Sequence, residues 1–61
     1  MKFAYTRLVY FDTMYNRDSE FRVHGDITFN DRNEAVFASG GMRYAINISL
    51  IKKIELVEEE W

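Results

Sequence analysis

Phe21-Arg22-Val23-His24-Gly25-Asp26-Ile27-Thr28-Phe29 puts apolar residues and one glycine on the odd positions and polar residues on the even ones. A period of two marks a β-strand with one face in a core and one in water. Phe21, Val23, Ile27 and Phe29 are therefore read as core, and Arg22, His24, Asp26 and Thr28 as surface. Gly25 stands where an inward side chain is due. A glycine inside a strand marks a bulge, a bend or a close backbone approach. Small barrels use such a corner in a long strand to close.

The neighbouring segments extend this pattern. Phe3 to Phe11 reads as a first strand, with Phe3, Tyr5, Val9 and Phe11 on one face and Arg7 among them. Its other face carries Ala4, Thr6, Leu8 and Tyr10, so both faces are rich in apolar groups. A strand covered on both sides has this composition. The expectation is that it curls, or that a second subunit covers it. Asp12 to Ser19 reads as a polar loop carrying Met14 and Tyr15, with Met14 expected to cap the open end of the core.

Downstream, Asn30-Asp31-Arg32-Asn33 is a hairpin loop and Glu34 to Ser39 a short strand. Gly40-Gly41 is a two-residue turn whose positive φ angles suit sheet twist. Met42 to Ile48 is the next strand, with Met42, Tyr44, Ile46 and Ile48 on one side. The middle of the chain is thus an antiparallel meander.

Residues 49–61 admit two readings. As a helix they align Leu50, Ile54, Val57 and Trp61. Lys52 and Lys53 would then sit at the positive end of the macrodipole and Glu58-Glu59-Glu60 at the negative end, both unfavourable. As a strand, Ile54 and Leu56 point inward while Lys53 and Glu55 point out, after one 3₁₀ turn at Ser49 to Lys52. The strand is favoured. The alternative is a four-stranded antiparallel sheet plus a C-terminal helix.

Five strands, a glycine-bent second strand and the run Ile46-Asn47-Ile48-Ser49-Leu50-Ile51-Lys52-Lys53-Ile54-Glu55-Leu56 together resemble the SH3-like and Sm-like small barrels. The fold expected is all-β, a five-stranded antiparallel meander curled into such a barrel, with residues 1–61 as one domain.

Size and charge bound the function. A chain of 61 residues buries only about 60% of its unfolded surface, so its stability is marginal. It has no cysteine and one histidine, which removes disulfides and thiolate metal sites as supports. Self-association as a homo-oligomer is the remaining support, through strand one and an exposed edge. A net charge of -2 disfavours a general nucleic-acid binder. Met1 to Arg7 lacks the apolar run of a signal peptide, and a cytoplasmic protein is expected.

No catalytic constellation stands out. His24 and Asp26 share a strand face, where opposite charges usually form a solvated pair. Asp12, Asn16, Asp18 and Glu20 offer oxygen ligands, but no glycine provides the sharp turn of a calcium loop. No cofactor or metal is expected. Arginines beside aromatics (Arg7, Arg22 and Arg43 with Tyr5, Tyr10, Tyr15 and Tyr44) suit either single-stranded nucleic acid or a protein interface. An acidic end finishing in Trp61 adds an aromatic anchor.

The leading expectation is a non-enzymatic module that regulates or inhibits a larger protein. Its partner-binding residues are read as Arg7, Tyr10, Met14, Tyr15, Arg22, His24, Arg43 and Trp61. An Sm-like or cold-shock-like nucleic-acid binder and a small-ligand sequestering protein are the alternatives.

Overall fold

Alternating and β-branched segments separated by Asn, Asp and Gly turns fold here as strands joined by short connections. The computed structural model describes residues 2–60, with side chains described from Ala4 to Glu59. The strands are β1 (Lys2–Asp12), β2 (Arg17–Val23), β3 (Thr28–Phe29), β4 (Glu34–Ser39), β5 (Met42–Asn47) and β6 (Ile51–Glu60). One 3₁₀ turn, Ile48–Leu50, links β5 to β6. Two three-stranded antiparallel sheets result, ordered β2-β1-β6 and β3-β4-β5. Among the described residues no ladder joins the two sheets, so the all-β class is established and a closed barrel is not shown.

The segment Phe21 to Phe29 passes from one sheet to the other. It divides at 24–27 into β2 and β3, which turns the five expected strands into six. Gly25 lies within the break but does not adopt a positive φ, and a Cβ added there would meet nothing within 4 Å. The corner is pinned instead by Ser39, whose Oγ donates to the Arg22 carbonyl at 3.0 Å.

The remaining turns follow their residue chemistry. Gly40 and Gly41 take φ of +60° and +79°, the double positive pattern of a tight hairpin. Asn30 Oδ1 accepts from the Arg32 and Glu34 amides at 2.9 and 3.0 Å and closes the β3–β4 loop. The Ile48 amide donates to the Asn33 carbonyl at 2.8 Å, tying the 3₁₀ turn to that loop. Asn47 Oδ1 caps the turn by accepting from the Ser49 amide at 2.9 Å.

The core is small. Leu8, Val23 and Phe37 are buried together, with Tyr10, Phe21, Ile27, Tyr44, Ile46 and Ile51 packed against them. Phe21 is its hub: its ring lies 5.3 Å from Tyr10, 5.2 Å from Phe37 and 4.5 Å from Tyr44. Contacts of this length suit offset and edge-to-face pairs.

Of the two readings of the C-terminal segment, the favoured strand is the one found: residues 51–60 pair with β1. Other expectations are corrected. The polar loop is shorter than Asp12 to Ser19, since Arg17, Asp18 and Ser19 already belong to β2. Met14 is 82% exposed and caps nothing. Phe29 keeps the inward phase yet is 59% exposed, since its two-residue strand lies at the sheet edge. Strand β1 is central and paired on both sides from Thr6 to Tyr10, so its edge is not available for self-association there.

These placements separate two substitutions. Leu8→Ala should cost about 2–5 kcal/mol, enough to unfold much of so small a domain. Gly25→Ala should stay within about 1 kcal/mol of the parent or stabilise it, since the site is open and unstrained. Urea denaturation followed by circular dichroism distinguishes them.

Candidate functional site

The face of the first sheet turned away from the core carries most of the ionic contacts. Odd-numbered β1 residues point there, so Arg7 projects between β2 and β6, opposite Arg22 and Glu55. Its Nε donates to Glu20 Oε2 at 2.6 Å and its Nη1 to Glu55 Oε1 at 2.9 Å. These contacts form a ladder across all three strands, and Lys53 Nζ extends it within β6 by approaching Glu55 Oε2 at 3.2 Å.

The titration of this ladder follows from its geometry. Hydrogen bonds to Glu20 and then Glu55 hold the Arg7 guanidinium above the ordinary arginine range. The hydrogen bond from Arg7 lowers the Glu20 carboxyl. Glu55 is lowered by the hydrogen bond from Arg7 and then by that from Lys53. All of these groups are solvent-facing, so water and salt screen them.

Aromatic rings on the same face are roofed by cations. Arg22 lies over the Tyr5 ring at 5.2 Å, and the His24 ring centre is 5.8 Å from it. Tyr5 also donates from its hydroxyl to Glu59 Oε1 at 3.4 Å. Lys52 lies over Phe11 at 5.7 Å and reaches Asp18 Oδ1 at 3.0 Å. The apolar outer face of β1 is thus covered by long side chains of its own neighbours, which lay their stems on apolar surface.

The β1–β2 hairpin ends in a turn at 13–16 that presents Met14 and Tyr15, 82% and 66% exposed. The turn is ordered by local chemistry. Asp12 Oδ1 accepts from the Met14 amide at 3.0 Å, and Asn16 takes φ of 54°. Such left-handed positions are tolerated by asparagine. Arg17 lies over the Tyr15 ring at 5.6 Å. Behind the tip, a shallow depression of about 150 Å³ is lined by Arg7, Val9, Asp18, Ser19 and Glu20. That is well below the roughly 300 Å³ at which small-molecule pockets begin.

The residues singled out in the sequence therefore fall into separate places. Arg7, Arg22 and His24 share the outer face of the first sheet, and Met14 and Tyr15 share the hairpin tip. Tyr10 stacks on Phe21 at the core margin, half-buried. Arg43 stands opposite Ala38 in the second sheet, outside the Arg7–Arg22 row. Trp61 lies outside the described residues. The roles of Glu20, Glu55 and Lys52 are not visible in the sequence, because each depends on strand register. No group of three or more potential metal-ligating side chains comes together among the described residues. No helix among them is long and apolar enough to cross a membrane.

Comparison with known protein families, curated proteins and solved structures finds no match to this chain.

The ladder sets a pH dependence. Glu20 and Glu55 titrate lower when folded than when unfolded, so their contribution is complete above the ordinary glutamate range. It is lost as pH falls through the lowered folded values. Arg7→Ala should lower the melting temperature at pH about 7. The difference from the parent should close as the pH falls through the lowered folded values and both carboxyls become protonated. Thermal melts across that range check the crossover.

Proposed function

We propose that this chain is a non-enzymatic protein-interaction module with an SH3-like strand arrangement, a small regulator or inhibitor that binds a larger protein through the tip of its β1–β2 hairpin. The supporting topology is a hairpin partner, a central first strand and a last strand in one sheet, a meander in the other, and a 3₁₀ turn before the last strand.

The observation that carries the reading is Met14 beside Tyr15, both exposed on a turn whose backbone is fixed by Asp12. Tyrosine is a preferred interface anchor, and methionine adapts to irregular apolar pockets. An ordered turn spares a binding partner part of the entropic cost of fixing them. Arg17 and the depression along Arg7 to Glu20 provide a polar rim around the tip.

The nucleic-acid alternative draws less support. Arg7, Lys52 and Lys53 on the first sheet are already matched to carboxylates. Phosphate binding needs cations available for neutralisation.

The test compares immobilised parent protein with the Met14→Ser/Tyr15→Ser double variant and with Ala45→Ser, an exposed position in β5, in lysate of the native host. At least one protein should be retained by the parent and by Ala45→Ser and reduced about tenfold or more by the double variant. Identical retained sets overturn the reading. A short fluorescent oligonucleotide titrated at low and high salt should show no saturable binding. Tight, salt-sensitive binding would favour the nucleic-acid alternative.

A further inference from the structure

Strand β6 is one of the two edges of the first sheet and runs ten residues, Ile51–Glu60, without a proline. Its register against β1 shifts between Val9 and Tyr10: Lys53 faces Val9 and Ile51 faces Tyr10, so Lys52 is the extra residue. Beyond that bulge the strand is regular to its end. An edge of this kind offers backbone donors and acceptors to another strand.

Two further features mark this edge. Ile54 and Leu56 occupy the face turned toward the second sheet, opposite Leu8 and Thr6, yet they are 44% and 68% exposed. The second sheet leaves much of both side chains uncovered. Strand β2 covers β1 only from Thr6 onward, so Lys2 to Tyr5 pair with β6 alone. A two-stranded ribbon is marginal in water and gains from a third strand.

Charge decides what that strand is. Edge charges ordinarily block pairing. On β6 they are sorted instead, with Lys52 and Lys53 at the start and Glu58 and Glu59 at the end. A parallel copy would set like against like. An antiparallel copy sets opposite against opposite.

We propose that β6 pairs antiparallel with β6 of a second copy of this chain, about a two-fold axis at Leu56, joining the two β2-β1-β6 sheets into one. In this register Leu56 faces the partner copy's equivalent residue, Ile54 lies diagonal to it, and Lys53 faces Glu59 on the opposite side of the sheet, twice by symmetry. Shifting the register by two residues sets Glu55 against its own copy in one direction and against the partner copy's Glu59 in the other, both of which like-charge repulsion disfavours. This inference is independent of the hairpin tip, which lies at the far end of β1 from the ribbon.

The experiment is size-exclusion chromatography with light scattering on the full chain from low to high micromolar concentration. The parent should run at twice the mass of one chain. Leu56→Lys, at an exposed position, should keep the parent circular-dichroism spectrum and run as one chain. Lys53→Glu should weaken association at least tenfold, and Lys53→Glu/Glu59→Lys should restore it. Since the chain has no cysteine, Leu56→Cys gives a second readout that does not depend on the lysine variant folding. Mild oxidation should cross-link it between copies, while Ala45→Cys should stay monomeric. A parent that remains one chain at high micromolar concentration overturns the proposal. So does a dimer unaffected by Leu56→Lys, or a Leu56→Cys that cross-links no better than Ala45→Cys. Loss of the dimer with partner capture intact would separate this result from failure of the hairpin-tip reading.

Discussion

Phe21 clamps the two sheets together, and the rest of the molecule is arranged around that contact. It stands opposite Leu8 within the first sheet and meets Phe37 and Tyr44 of the second. Few other side chains contribute as much, since Leu8 and Val23 are the only large ones wholly buried among the described residues. A domain with so small a core draws much of its stability from each member, so the central packing leaves little freedom to evolve a pocket there. The surface the core does not use lies at the hairpin tip and along the sheet edges.

What is legible in the sequence is parity. Odd positions from Phe21 to Phe29 keep one phase through the break, and Gly40-Gly41 forms the tight turn its composition implies. Parity tells which way a side chain points but not whether anything covers it. Phe29 points inward and remains exposed because its strand is a two-residue edge. Met14 is expected in the core because methionine is usually buried, whereas the turn ends beyond the second sheet's reach. The arginines that read as a cluster are divided between the sheets, because strand register and sheet membership are tertiary facts.

The ambiguity at the C-terminal end has a physical cause. Ile51 and Ile54 are three residues apart, a spacing that suits a helix face and not a regular strand. The bulge at Lys52 reconciles them: one extra residue reverses the phase, so Ile51 reaches the core margin while Ile54 stays on the same side of the sheet. The same extra residue turns Lys52 outward over Phe11 and onto Asp18. One local irregularity therefore serves the core and the surface together, and bulges commonly re-aim side chains in this way.

Strand β1 shows how the surface of so small a domain is built. Both of its faces are apolar in sequence, and a second subunit is one way to cover the outer one. The structure covers it from within, with Arg22 and Glu59 on Tyr5 and Lys52 on Phe11. Tyr5 is left only 6% exposed. Arg7 sits in the same row, and its two carboxylate partners hold β2 and β6 to the central strand from outside. A strand insulated on both faces and paired along both edges at its centre has no need of a partner there. The uncovered apolar surface lies further out, on an edge strand whose inward face carries exposed Ile54 and Leu56 and whose charges are sorted by sign along its length.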